Sequence, residues 1–376
     1  MAETLLQAGR LQPLAGFVLL LLIPGITAAE DRAKTTSAVT RSLELLQQTA
    51  ATYTDQRDCF SCHHQALPSM AISLAAMRGF EVNRPQVVWQ SEFTAAFFLD
   101  RSEKLEKGGG VPGGPYTAAY AAVQLAADGA EQPRAAKLLV QYLQQTRQDE
   151  GYWKMNTKRP PLEISDFTST ALSLAALRLH DHLSDPGTLE LTIGRAVDWL
   201  AGEKPQTTED RVYQLLGIYW GSVDLRRGAA TSWSRLFHPR AGTAMDVDVK
   251  KSFQQTVARL RELQQDDGGW AQLDSGTSDA YASGQVVATL LATGAARPAD
   301  DSIRRGIRYL LQTQHDDGSW HVVSRSKAFQ EYFESGFPHG PDQFISTAAS
   351  SWATMALVLS LPARPSRSAR GRQRSP

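Results

Sequence analysis

The sequence predicts an all-α protein in which six helix pairs close into an α6/α6 toroid with an inner and an outer ring. Three observations predict this fold. The stretch 264–270 recurs at 314–320 with Asp, Gly and Trp in the same places. An amphipathic helical pattern precedes each copy, and a largely apolar helical pattern follows it. Self-similarity at such a period indicates a repeat architecture, in which each pair buries its apolar face against its neighbours.

The first helix of each pair carries charges on one side, so we expect it in the outer ring. The predicted outer helices are 39–50, 85–99, 134–145, 189–200, 256–264 and 302–314. The second helix of each pair is apolar nearly all round, as in 71–76, 171–176 and 286–291, which indicates burial on all sides. The predicted inner helices are 65–78, 116–127, 166–179, 210–220, 278–293 and 345–361. The toroid therefore extends over 36–361.

The repeated turn has a physical rationale for each of its three recurring residues. Asp accepts backbone N–H bonds in a turn, Gly adopts positive φ, and Trp packs between repeats. A degenerate third copy lies at 147–153, where Arg147 and Glu150 replace Gln and Asp.

Both ends of the chain lie outside the repeat pattern. An apolar run at 14–23 precedes the small residues Thr27, Ala28 and Ala29, which predicts a signal peptide over 1–29; the alternative is an uncleaved membrane anchor. Either interpretation predicts export to the periplasm or cell envelope. Residues 362–376 are rich in Pro, Ser and Arg and predict a disordered basic tail, with contact to an anionic membrane surface as the alternative to a solvated tail.

The formal net charge of the 376 residues is +0, with a hydrophobic content of 42%. This composition supplies a large core and gives no overall field that would favour nucleic acid. We therefore expect no nucleic-acid partner.

Cys59, Cys62 and His63 form a C-x-x-C-H sequence, which is the attachment sequence of c-type haem. Two thiols would add to the vinyl groups, and His63 would supply the proximal nitrogen to iron. His339 and Met70 are candidates for the sixth ligand, and a haem would imply an electron-transfer partner. Two alternatives stay open: a disulfide between the cysteines, which an oxidising compartment permits, and a metal site at His63 with Cys59, Cys62 and His64.

The turn Q-x-x-D-G-x-W at 264–270 and 314–320 resembles the repeat of squalene–hopene cyclases and protein prenyltransferases. The resemblance implies an α/α toroid, here a single one, whose cavity holds a small apolar ligand such as an isoprenoid. The cyclases use a D-x-D-D acid, and the nearest stretch here has only Asp246 and Asp248, before an outer helix. The prenyltransferases hold zinc with Asp, Cys and His on inner helices, and no Cys follows Cys62.

If the inner helices run parallel, their N-termini share one rim of the ring. The rim would carry His63, His64, Tyr116, Asp166, Asp279, Tyr281 and Ser346. Asp166 and Asp279 are the candidate catalytic residues, and helix N-capping is the alternative role for both. The aromatic segment 329–341 either covers the cavity or packs against the ring.

Two functions from different classes remain. The first is an exported binding or redox protein with an apolar ligand in the toroid and a c-type haem at its mouth. The second is an enzyme of the cyclase–prenyltransferase type that uses a non-standard acid or a metal at the same rim. A lyase acting on polysaccharide is a third, because fold alone does not determine chemistry.

Overall fold

The computed structural model describes residues 24–129, 131–222, 232–237, 245–328 and 331–362, with side chains from residue 29 onward except at 232 and 234. Most of the predicted signal segment and all but the first residue of the predicted tail lie outside these ranges. Helix α1 already runs through 27–29, where the sequence predicts cleavage.

Fourteen α-helices occur in the described residues, and twelve of them form the six predicted pairs. The outer helices are α1 Pro24–Gln56, α3 Arg84–Leu99, α6 Pro133–Thr146, α8 Pro186–Gly202, α11 Val247–Glu262 and α13 Asp301–Thr313. The inner helices are α2 Leu67–Met77, α5 Pro115–Asp128, α7 Asp166–Leu179, α9 Thr208–Ser222, α12 Ala280–Ala292 and α14 Gln343–Ser360. Two short helices, α4 Ser102–Glu106 and α10 Ser232–Arg235, lie in the connections.

The inner helices form a closed ring. Each contacts its neighbour in the order α2, α5, α7, α9, α12 and α14, and α14 contacts α2 again. Outer helices lie in the grooves between inner helices, as α1 does between α14 and α2. The predicted α6/α6 toroid is thereby confirmed.

Small residues allow the inner helices to approach closely, as their composition predicts. A Cβ added at Gly284 of α12 would lie 2.6 Å from the backbone nitrogen of Ala353 in α14. That distance is too short for any side chain at position 284. Close backbone approach leaves almost every side chain of these helices buried.

The repeated tryptophan closes the C-terminal end of an outer helix. The indole Nε1 of Trp270 donates to the carbonyl of Leu260 at 2.6 Å, and Trp320 does the same to Leu310 at 2.8 Å. The last carbonyls of a helix lack intrahelical partners, so each indole satisfies one of them. The degenerate turn keeps this contact, because Trp153 donates to Leu143 at 2.7 Å.

The repeated glycine and glutamine join one outer helix to the next. Gly268 has φ +90°, and a Cβ there would lie 2.7 Å from the carbonyl oxygen of Arg305 in α13. Gln264 donates to the carbonyl of Ser302 at 2.8 Å. The turn after α13 repeats the arrangement against α1: Gln314 donates to the carbonyl of Ala38 at 2.9 Å, and this contact closes the ring.

Most helix starts differ from the sequence prediction by one to three residues, and α1 begins at Pro24 rather than 39. Helix α9 begins at Thr208 rather than 210, α11 at Val247 rather than 256, and α14 at Gln343 rather than 345. The difference at α9 matters most, because it places Glu209 within the inner ring. Within the described ranges, no helix combines the length and apolar character needed to cross a bilayer.

Candidate functional site

A cavity of about 480 Å³ opens beside the start of α2 and the start of α14. Three segments line it: the turn before α2, the loop before α7, and the long connection between α13 and α14. The lining residues are His63, His64, Arg159, Leu162, Glu163, Ser324, Ser326, Lys327, Ala328, Glu331, Tyr332, Phe333, Pro341, Asp342, Gln343 and Phe344. The described part of the predicted aromatic segment thus forms one wall of the cavity.

The aromatic wall is held from behind by α1. The ring of Phe333 lies 5.9 Å from that of Tyr53, and the guanidinium of Arg57 lies 4.2 Å above the Phe333 ring. Phe344 contacts the imidazole of His63 edge-to-face at 5.6 Å. These contacts fix the apolar surface that a ligand would meet.

Two adjacent imidazoles form part of the cavity lining. The rings of His63 and His64 meet edge-to-face at 4.7 Å. Burial lowers the pKa of His64 to about 3 and lowers the pKa of His63 well below its ordinary value, with His64 and Arg159 adding to the effect on His63. Both imidazoles are therefore neutral at physiological pH.

The local backbone explains why both histidines lie here. Ser61 caps the segment by accepting from the His64 amide at 3.1 Å, and a π-helical turn, Cys62–Ala66, follows before α2. The amide of Ala66 donates to the carbonyl of Ser61, five residues earlier, so this turn is wider than an α-helical turn. Such turns are frequent at functional sites.

Neither cysteine lines this cavity. Cys62 is buried with its Sγ 4.0 Å from Thr117 Oγ1, and burial strongly raises the pKa of its thiol. Cys59 is half-buried, with its Sγ 3.2 Å from the Tyr53 hydroxyl. Both are free thiols.

The three groups that a c-type haem requires do not face one common surface, because His63 lines the cavity while the two sulfur atoms pack elsewhere. In the folded ring, covalent haem attachment requires Cys62 to leave its contact with Thr117. The residues as folded do not fit the group, and haem c stays a prediction from the motif.

The predicted metal site at His63 finds no support. In the ranges that the structure describes, no group of three or more His, Cys, Asp and Glu side chains is arranged to hold a metal ion. The two candidate sixth ligands lie apart from the cavity. Met70 is buried in α2, and His339 Nε2 lies 2.8 Å from Ser319 Oγ in a separate cluster with His315 and His321.

The candidate catalytic residues Asp166 and Asp279 are not brought together in this cavity. Asp279 caps α12 by accepting from Ala282 at 2.9 Å, and burial raises its pKa to about 6. It lines a second cavity, of about 610 Å³, together with His315 and His321. The N-capping alternative is wrong for Asp166, because Ser165 caps α7 and Asp166 accepts from the Met155 amide at 2.6 Å.

Glu209, which the sequence pattern did not indicate, has its carboxyl buried at the start of α9. It accepts from Thr168 at 2.9 Å, Tyr281 at 2.8 Å and Gln285 at 2.9 Å. Burial raises its pKa to about 8, so it is mostly protonated at neutral pH. Hydropathy gives no signal for it, because Thr208 and Glu209 precede the apolar pattern of 212–220 and are themselves polar.

The other predicted rim residues have structural contacts. Tyr116 stacks edge-to-face on Tyr120 at 5.0 Å, and Ser346 accepts from the Val322 amide at 3.1 Å. Asp246 caps α11, an outer helix, in agreement with the expectation that the nearest approach to a D-x-D-D acid lies away from the inner ring.

Comparison with known proteins gives one family match and several structural likenesses. Residues 231–344 match the squalene-hopene cyclase C-terminal domain family. A possible member of the GH105 family from Salmonella enterica has a similar structure, with 13% identity, a TM-score of 0.54, and coverage of 87% of this chain and 93% of that one.

Variants of the type II terpene cyclase MstE from Scytonema are similar with 13% identity and a TM-score of 0.48. One is in complex with merosterolic acid A as product and covers 88% of this chain and 98% of its own. Another is in complex with geranylgeranyl dihydroxybenzoate as substrate and covers 89% and 100%. At these identities the structural likeness concerns the fold alone: the chain is a helical toroid, and residues 231–344 of it are similar to the cyclase family.

Proposed function

We propose that this protein binds an isoprenoid, with the prenyl chain lying along Phe333 and Phe344 in the cavity at the mouth of the toroid. The cavity itself carries the proposal. Its volume of about 480 Å³ lies within the range of small-molecule sites, and its lining combines an aromatic wall with polar and charged side chains. The cyclase-family match supports the isoprenoid class, because the matched stretch 231–344 supplies most of the lining.

Isothermal titration of the full chain with farnesol tests this proposal. We expect saturable one-site binding that Phe344→Ser weakens about tenfold or more, because an apolar contact surface is lost. The matched control is Phe93→Ser. Phe93 lies on the outer helix α3, where its ring packs against that of Trp89 at 5.6 Å. This variant should bind as the wild type does.

The absence of saturable binding by a folded wild-type protein would contradict the proposal. Equal weakening in Phe93→Ser would also contradict it, because the effect would then not come from the cavity. Thermal unfolding of each variant shows whether the ring is intact.

A second candidate function is cyclisation of the bound prenyl chain, and the observation that favours it is the protonated Glu209 carboxyl in the inner ring. Glu209 does not line the cavity, so this function ranks below binding. Extraction of the titration mixture and mass spectrometry test it. A cyclised product that disappears in Glu209→Gln supports an enzyme, whereas unchanged farnesol supports binding alone.

We also propose export to the periplasm or cell envelope and contact of the basic tail with a membrane surface, whereas an electron-transfer partner is proposed only for a chain that carries haem. They rest on the sequence of the two chain ends and on the C-x-x-C-H motif.

A further inference from the structure

The charges around the mouth cavity are largely paired with one another. Arg159 forms an ion pair with Glu163, with Nε 2.9 Å from the carboxylate. Asp342 accepts from the Ser324 amide at 2.8 Å and lies 2.9 Å from His321 Nε2. The other charged lining residues are the exposed Lys327 and Glu331, one of each sign.

A ligand head with several charges would therefore find few groups of opposite charge to pair with in this cavity. A diphosphate needs several cationic or N–H donors directed at it, as arginine clusters and helix N-termini provide elsewhere. Here the guanidinium of Arg159 already forms an ion pair with the carboxylate of Glu163, and both imidazoles are neutral. The lining favours an uncharged ligand.

The tautomer of His64 follows from its neighbours. Gln343 Oε1 accepts from the Ser335 amide at 3.0 Å, and Gln343 Nε2 donates to the Phe333 carbonyl at 2.6 Å, so two backbone groups fix the orientation of this amide. The Ser335 hydroxyl then donates to Gln343 Oε1 and accepts from His64 Nε2 at 2.9 Å. His64 is therefore the tautomer with its proton on Nε2. Stacking on Tyr53, with ring centroids 5.1 Å apart, also fixes the orientation of its ring.

His63 is the imidazole left to meet a ligand. It lines the cavity, its described contacts are the ring contacts with His64 and Phe344, and no hydrogen bond to its imidazole occurs among the described residues. A neutral imidazole offers one N–H donor and one nitrogen acceptor. A hydroxyl group suits either nitrogen, because it can donate to the bare nitrogen or accept from the N–H.

We propose that the cavity selects an uncharged apolar alcohol, whose hydroxyl donates to the bare ring nitrogen of His63 while its hydrocarbon chain lies against Phe333 and Phe344. This inference rests on the proposed isoprenoid binding and narrows the ligand to a free prenyl alcohol, in preference to its diphosphate ester. His64, held by Ser335 and Gln343, packs edge-to-face against His63.

Titration of the full chain with farnesol, farnesyl methyl ether and farnesyl diphosphate tests the inference. These probes share one hydrocarbon chain and differ only in the head. We expect farnesol to bind about tenfold tighter than the ether, which cannot donate, because one net hydrogen bond is lost. The diphosphate should bind more weakly than farnesol, because its charge must be desolvated without compensation.

Three variants locate the effect. His63→Phe should remove the preference for farnesol over the ether while ether binding persists, and His63→Gln should restore part of the preference, because an amide also donates and accepts. His182→Phe, at an exposed histidine in the connection after α7, is the matched control and should retain it.

The outcomes separate the two proposals. Equal affinity for farnesol and its ether, or tightest binding of the diphosphate, would overturn the inference while leaving isoprenoid binding in place. No binding of any probe would remove the proposed function itself. The comparison of the three ligands uses only the wild-type protein, so its result does not depend on whether the variants fold.

Discussion

The Glu209 carboxyl is buried among hydroxyl and amide donors, and its protonation must affect stability. Its pKa in the folded chain is about 8, above the ordinary value of 4.5. Between about pH 4.5 and pH 8 the folded chain keeps a proton that the unfolded chain has lost. The free energy of unfolding therefore falls as pH rises across this window.

We expect Glu209→Gln to reduce the pH-dependent loss in the free energy of unfolding by about 2–5 kcal/mol in total, because the amide stays neutral at every pH. Urea unfolding from pH 5 to pH 9 measures it. The buried Asp128 and Asp279, with pKa values raised to about 7 and about 6, act in the same direction, so part of the fall remains. Glu44→Gln, at an exposed position on α1, is the control. A pH profile of Glu209→Gln that coincides with that of the wild type would show the carboxyl to be ionised in the fold.

At the scale of helices, the turn after α13 fastens the last outer helix to the first. Gln314 donates to the carbonyls of Gly318 and Ala38 and accepts from Arg41 of α1. Gln264 makes the equivalent contacts to Gly268 and Ser302, so that it joins α11 to α13. The glutamine of the repeated turn thus closes the ring after α13, whereas after α11 it joins two consecutive outer helices.

We expect Gln314→Ala to destabilise the ring by about 1–2 kcal/mol through the lost hydrogen bonds. Hydrogen exchange should accelerate in α1, the helix released by the change. Gln264→Ala is the matched variant, and its faster exchange should appear in α13 instead. Identical exchange patterns for the two variants would argue against a local role of the turn in closing the ring.

At the scale of the whole molecule, haem attachment at the C-x-x-C-H segment is a prediction that the exported protein tests directly. The motif predicts a Soret band, and an intact mass that includes covalent haem, when the chain is exported from cells that mature c-type cytochromes. Cys59→Ser with Cys62→Ser should lose both signals. A colourless protein with unmodified mass would contradict haem attachment, and a mass lower by two hydrogens would indicate the disulfide.

The helix pairs and the turn motif were predictable because their signals are local. Trp270 and Trp320 recur with Gly268 and Gly318 at a fixed distance, and the apolar period of each helix shows which face it buries. Local signals were weaker at helix starts. The first turn of α9 carries Thr208 and Glu209, whose polar side chains hide an inner-ring position from any hydropathy pattern.

The site could be predicted only in part. Of the predicted rim residues, His63 and His64 do line the cavity, whereas Asp279 lies at a second cavity and Asp166 is bound to a nearby backbone amide. Sequence placed Cys59, Cys62 and His63 side by side. The π-helical turn and the contact with Thr117 then directed the sulfur atoms and the imidazole to different surroundings.

The sequence by itself therefore determined the all-helical ring of six pairs, because hydrophobic period and turn chemistry act over a few residues. Only the tertiary structure decided which side chains face the cavity, which histidine is locked by Ser335 and Gln343, and that burial raises the pKa of the Glu209 carboxyl. Those properties depend on burial and on partners hundreds of residues away along the chain, such as Ser335 for His64, and no local pattern encodes them.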